Sequence, residues 1–280
     1  LNKLFKGSLV WALGAVSFVY TILPESFFEI IQWKFLEEID CCTKIGLNRI
    51  CNRVGVFIII WIFSIVGYGL FLKYRKSVTI KGKDYIIKVE YGDLLKARNC
   101  KKVISFDECF TSNVGQSPGD IKPASICGQY LKANPTINLK QLITATGLHS
   151  ERSKSKYGNR TRYKHGSIVP NGDDLLMAFV PLDESGRGIF RSVMDYRNSL
   201  LNMWDEIDKH YGQCDVCIPI LGSGITRIGN GSTAQLSQQE LLDMIIWSYK
   251  MNPHKLKKPY KLRIICKSAD EFSLNNIDTR

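Results

Sequence analysis

The chain has 280 residues, of which 45% are hydrophobic, 11% aromatic and 23% charged; that apolar content excludes a disordered chain and fits one packed domain with something attached. Its 38 Lys and Arg against 26 Asp and Glu give a formal charge of +12, so a partner met electrostatically is anionic: nucleotide phosphates, nucleic acid or lipid headgroups. Nine cysteines at irregular spacing argue against a secreted, disulfide-stapled module and for a reduced compartment.

In chain order, the first features are two runs without a charged side chain, Ser8 to Leu23 and Val54 to Leu72. As helices they would measure about 24 and about 28 Å, against a hydrocarbon core of about 30 Å. The expectation is a transmembrane hairpin over residues 1–76. Lys3 and Lys6 ahead of the first run also suit a signal peptide, yet Leu23-Pro24-Glu25-Ser26 lacks a small-x-small cleavage site. Lys3 and Lys6 before the first run, and Lys73, Arg75, Lys76, Lys81 and Lys83 after the second, put both termini in the cytoplasm of a multi-pass protein. Between the runs Phe28, Ile31, Phe35 and Ile39 recur at spacings of three and four, the pattern of an amphipathic helix. Such a helix lies in the outer interface or packs on the spans of a neighbouring subunit. Cys41, Cys42 and Cys51 fall in the same stretch, as subunit bridges or idle thiols.

Residues 1–72 hold six basic and five acidic side chains, which leaves 32 and 21, a net +11, on Lys73 to Arg280. In that soluble part, runs at Ser77–Ile80, Tyr85–Tyr91, Lys102–Phe106, Leu175–Val180, Cys214–Leu221 and Lys261–Lys267 read as six strands. Val193, Tyr196, Leu200, Trp204 and Ile207 mark one helix, and Ser237-Gln-Gln-Glu240 is a capping box that opens another carrying Leu241, Leu242, Ile245 and Tyr249. Alternating strands and helices define an α/β layer fold with a parallel or mixed sheet, its ligand site at the carboxyl ends of the strands.

Three strand-end segments carry the chemistry. Cys214 to Arg227 is an apolar strand that runs into Gly222-Ser223-Gly224, and glycine lets backbone N–H groups turn toward a phosphate. Such turns also merely end strands. Arg227, three residues past Gly224, is placed to neutralise a diphosphate or to be simply solvated. Gly92-Asp93-Leu94 follows the second strand, and Asp107 to Gly115 follows the third and leads to Ser125-Ile-Cys-Gly-Gln-Tyr130.

Together these loops resemble the macro domain, the ADP-ribose-binding module, over about residues 77–275. Gly92-Asp93-Leu94 and Pro219-Ile-Leu-Gly-Ser-Gly-Ile225 match its first and last motifs closely. The resemblance implies a three-layer domain over residues 77–280, with Asp93 accepting the adenine amino group beside Leu94. It also implies that Gly222, Ser223, Gly224 and Ile225 wrap the diphosphate and distal ribose with Thr226 and Arg227, and that Ser105, Asn113, Val114 and Gly115 complete the site. The middle motif departs from the family. Hydrolases of the fold place an asparagine and a glycine run where this chain has Ser105-Phe-Asp-Glu108 and then Asn113-Val-Gly115, which speaks against catalysis. Asp107 and Glu108 remain as ribose ligands, a base or, by default, exposed loop carboxylates.

Two spans followed by such a domain resemble the membrane-anchored macro-domain effectors of the Thoeris anti-phage system. That resemblance implies a ligand sensor rather than an enzyme, in a bacterial inner membrane. Its signal would be an ADP-ribose derivative, in this branch histidine-ADP-ribose, made by a TIR-domain enzyme. Binding would drive homo-oligomerisation and disruption of the lipid bilayer, ending in abortive infection, with no cofactor and no metal. A membrane-tethered ADP-ribosyl hydrolase is the alternative.

Between Gly147 and Gly172, Arg152, Lys154, Lys156, Arg160, Arg162 and Lys164 crowd into thirteen residues. The segment reads as a flexible basic loop that touches anionic lipid, closes over ligand phosphates or is solvated. Cys214 and Cys217 point to opposite faces of a strand, so with His149 and His165 they make no zinc site. A nucleic-acid binder lacks a helix-turn-helix, zinc or aromatic-platform motif here.

Overall fold

The first apolar run folds as helix α1, Asn2–Ile22, and the second lies within α2, Cys41–Tyr74. The computed structural model describes residues 2–29, 31, 41–117, 119–224, 226–229, 236–267 and 272–277. Its first unit is Leu1–Arg75 and its second Lys76–Arg280. Leu4–Ile22 and Ile45–Tyr74, with mean hydropathies of 1.4 and 2.4, are long and apolar enough to cross a membrane. Large apolar side chains such as Phe18 and Phe63 stand 68% and 72% exposed, a surface that suits hydrocarbon rather than water. The two helices pack through Trp11 on Tyr68, edge-on at 5.5 Å, and Gly7 leaves room for the Tyr68 ring.

Of the four positions expected on one face of an amphipathic helix, Phe28 and Ile31 fall within the described residues. Glu25–Glu29 is a single 3-10 turn and α2 already begins at Cys41. Phe28 is buried and Ile31 exposed, while Phe35, Ile39 and the side chains of Cys41 and Cys42 lie outside the described residues. The polar face of α2 holds the turn. Asn52 donates to the carbonyls of Phe28 and Ile31 at 2.7 and 2.8 Å, Asn48 donates to Ile31 at 2.8 Å, and Arg49 pairs with Glu29.

The second unit is built on a seven-stranded mixed sheet. Its strands are β1 (Ser77–Lys81), β2 (Ile86–Tyr91), β3 (Cys100–Asp107), β4 (Ile168–Asn171), β5 (Asp174–Val180), β7 (Asp215–Pro219) and β9 (Leu262–Cys266). Their order is β1-β2-β9-β7-β3-β5-β4. The inner five run parallel and the two edges antiparallel. The sequence yields six of these strands and misses β4, which hides in the end of the basic segment. It pairs with β5 through the tight turn at Gly172 (φ +62°), and its Pro170 is tolerated because β4 is an edge. A separate parallel pair joins β6 (Ile189–Phe190) to β8 (Arg227–Ile228).

Alternation along the inner strands supplies two cores, so the sheet is covered on both faces. Val103, Leu175, Met177, Val216 and Ile218 face α5 (Val193–His210) and α6 (Gln238–Met251). Ile104, Phe106, Leu176, Ala178 and Cys217 face α3 (Ile126–Ala133) and α4 (Leu139–Thr146). The expected helix faces are in place: Tyr196, Leu200, Trp204 and Ile207 are buried on α5, and Ser237 with Glu240 forms the capping box of α6. Trp204 Nε1 donates to Ser248 Oγ at 3.0 Å inside this core. Ser248→Ala leaves that buried N–H unpaired and should cost about 1–3 kcal/mol in urea unfolding of the full chain; an unchanged midpoint would mean the bond contributes nothing.

Candidate functional site

Parallel strands that end together leave their loops on one edge. The carboxyl ends of β9, β7 and β3 meet there at a cleft of about 340 Å³, lined among others by Ser105, Asp107, Lys122, Ser125 and Lys267. Gly222, Ser223, Gly224 and Thr226 line it too. The turn after β7 is held from below. Buried Tyr196 donates its hydroxyl to the Leu221 carbonyl at 3.0 Å, and Ser223 Oγ donates to the Ile220 carbonyl at 2.7 Å. Gly222 sits at φ +83°, where a side chain would be strained, and a Cβ on Gly224 would meet nothing within 4 Å. Ile225 lies outside the described residues.

The opposite wall explains the Ser-x-x-Gly-Gln-Tyr sequence. Ser125 caps α3 by accepting from the Gly128 N–H at 3.0 Å. Gly128 admits the Lys122 carbonyl, which would stand 2.3 Å from any Cβ there. Tyr130 accepts from Asn171 Nδ2 at 2.9 Å, tying the helix to β4. Ser125, Ile126 and Cys127 line the cleft, so the first turn of α3 borders it, a setting that suits an anion.

The remaining sequence-derived residues are spread out. Asp93 accepts from the Leu95 N–H at 3.0 Å and caps a 3-10 turn, and Leu94 is buried. Both follow β2 beside β9, where the Gly92 N–H donates to the Cys266 carbonyl at 3.0 Å, but neither lines the cleft. Asn113, Val114 and Gly115 shape the loop rather than its lining: the Ile121 N–H donates to Asn113 and the Gly115 N–H to Ile121. Arg227 belongs to β8 and lines a different cavity, of about 690 Å³.

Asp107 and Glu108 are buried, 4% and 1% exposed, not the exposed loop carboxylates that the sequence suggests by default. Asp107 lines the cleft and accepts from the N–H groups of Cys109 (2.8 Å) and Thr111 (3.2 Å). Burial pushes its carboxyl above the ordinary range, against the lowering by these donors. Glu108 faces the second cavity. Its Oε1 accepts from Ser155 Oγ (2.5 Å) and the Leu182 N–H (3.2 Å), while His165 Nε2 stands 3.3 Å and Arg162 Nη1 3.7 Å from Oε2. Burial alone would raise this carboxyl, but the bonds from His165, Ser155 and Leu182 outweigh it and hold the group below its ordinary value. The basic segment is therefore folded, not loose. The Tyr163 N–H donates to the Glu108 carbonyl, and the segment closes on itself through Glu151 to Arg162 and Ser155 to Arg160 backbone bonds.

The fold and the glycine turn define a macro-type α/β module, preceded in the chain by two long apolar helices. The family model described as Thoeris protein ThsA, Macro domain, matches residues 87–267, and the chain belongs to that family. It is 26% identical over 250 residues to Thoeris protein ThsA of Bacillus amyloliquefaciens (strain Y2), spanning 86% of this chain and 81% of that protein. Among solved structures it is similar to the Oceanobacillus iheyensis macrodomain with ADP, at 11% identity and a TM-score of 0.40 over 69% of this chain and 88% of that one. It is also similar to the macrodomain of Thermus aquaticus DarG, at 16% identity and a TM-score of 0.37 over 65% and 97%.

Because the folded Glu108 carboxyl is depressed, its contribution is complete above the ordinary carboxylate range and is lost as pH falls through the depressed value. Hydrogen exchange at the Leu182 amide, corrected for intrinsic rate, should report that loss in the wild type and no such step in Glu108→Gln. At neutral pH the same variant weakens charge-assisted bonds, and trypsin should cut after Lys154, Lys156 or Arg160 about tenfold faster; equal cutting rates would free the segment from Glu108.

Proposed function

We propose that this protein is a membrane effector of anti-phage defence whose cytoplasmic macro module, residues 77–280, binds an ADP-ribose derivative made by a partner TIR-domain enzyme, with histidine-ADP-ribose the first ligand to test. The observation that carries the reading is the Gly222–Gly224 turn, opposed across one cleft by the first turn of α3, in a Thoeris ThsA family chain that also holds two exposed apolar helices. A diphosphate between that turn and the helix end would receive backbone N–H groups, with Lys122 and Lys267 supplying positive charge at the wall. Ser105 and Thr226, which line the same cleft, complete the proposed binding set with Ile225 between Gly224 and Thr226 in the chain; Arg227 lines the other cavity, and Asp93, Leu94, Asn113, Val114 and Gly115 stand outside the lining of the cleft.

On this reading no bond is broken. Asp107, the carboxylate at the cleft, already accepts from two backbone N–H groups, which supports a positioning role for it rather than a free base. Signalling then needs the ligand to favour an assembled state by differential affinity. Assembly of α1 and α2 from several copies would disturb the bilayer, with both termini in the cytoplasm.

Gly224→Glu places bulk and negative charge at the proposed phosphate position. Titration of the full chain in detergent with ADP-ribose and histidine-ADP-ribose, read with light scattering, should give binding and assembly without turnover in the wild type and neither in this variant. Cleavage of the ligand would instead make the protein a hydrolase. For the anchor, arginine at Ile59 and Ile60 should impede insertion, each costing about 2.5–3.5 kcal/mol near a span centre; unchanged membrane fractionation would remove α2 as a span.

A further inference from the structure

We propose that the second cavity is a binding site of its own for a phosphate monoester of a small soluble molecule. At about 690 Å³ it is larger than the glycine-turn cleft, lies within the range of small-molecule sites and greatly exceeds what a lone phosphate fills. Its floor carries a buried hydroxyl with an unmet need. Ser199, on the second turn of α5, is 1% exposed, lines the cavity, and its Oγ has no hydrogen-bond partner. A buried hydroxyl left so is unfavourable until a ligand supplies an acceptor.

The electrostatics choose the ligand's sign. Lys156, Lys164, Arg191 and Arg227 line the cavity and, among the described residues, none makes an ion pair. The carboxylates on the same wall are largely committed. Glu108 holds Ser155 and the Leu182 N–H, and Asp183 accepts from Ser185 and the Arg187 N–H. Those bonds come from neutral groups and leave Asp183 charged, so with Glu151 and Asp195 the charge outside ion pairs is four positive against three negative, a net +1 that favours an anion. Pro181 and Ile189 add apolar wall for the body of the ligand.

The full chain in detergent would be titrated with inorganic phosphate, glycerol 3-phosphate and dihexanoyl phosphatidic acid, each alone and with saturating ADP-ribose. Saturable binding of phosphate, tighter for glycerol 3-phosphate and kept with ADP-ribose present, is expected. Ser199→Ala and Arg191→Glu should each weaken it about tenfold. Ser199→Ala should at the same time raise the thermal midpoint of the ligand-free chain, because it removes an unpaired buried hydroxyl, an outcome that misfolding cannot imitate. Preference for phosphatidic acid over glycerol 3-phosphate would overturn the soluble source in favour of a lipid headgroup. No saturable binding to any probe, displacement by ADP-ribose, or full affinity in both variants would overturn the site.

Discussion

Two successive carboxylates at the end of a central strand must both be buried, and they cannot face the same way. In β3 the register shifts between Phe106 and Asp107, and alternation beyond it sends Asp107 to the glycine-turn cleft and Glu108 to the second cavity. An unpaired buried carboxylate is costly, so each needs its own donors. Asp107 takes them from the backbone N–H groups of Cys109 and Thr111, two and four residues on, and so shapes the start of its own loop. Glu108 takes them from far away. Ser155, Arg162, His165 and Leu182 converge on it, and the basic segment is ordered because it completes that carboxylate.

This division explains what can be read from the chain beforehand. The inner strands and the capping box at Ser237 depend on neighbours within a few residues, and periodicity and cap chemistry expose them. The strand β4 does not, since Ile168 to Asn171 carries a proline and follows a charged run, and only its pairing with β5 makes it a strand. Burial of Glu108 is equally invisible, because its partners lie 47 to 74 residues away. Arg227 stands near Gly224 in sequence, yet the β6 to β8 pairing carries it into the second cavity. The glycine turn was legible for a local reason, its positive φ at Gly222, but the tyrosine that holds it comes from α5.

The apolar helices were legible from their uncharged runs, Ser8 to Leu23 and Val54 to Leu72, a pattern that needs no tertiary partner to be read. The beginning of α2 was not. Residues 41–53 carry Lys44, Arg49 and Arg53 and interrupt the uncharged run, and their helix is held by side chains reaching across to the turn at Glu25–Glu29 and to Ile31. Asn48 and Asn52 are four apart and therefore share one face, which ties the polar first part of α2 to the carbonyls of Phe28 and Ile31.

One element touches both cavities. Helix α5 supports the glycine turn through Tyr196 and, one position before and three after, lines the second cavity with Asp195 and Ser199. Tyr196 is fully buried and wedged against Phe179 and Phe190 at 5.9 and 5.5 Å, so the helix cannot shift at one site without repacking at the other; interiors packed to this density transmit displacement. A ligand held in the second cavity as proposed would alter affinity at the glycine-turn cleft to the extent that it shifts α5, and the effect would be reciprocal. A sensor whose response depends on differential affinity would gain a second input in this way, through a helix rather than through the basic segment that the sequence suggests as a loop over the ligand.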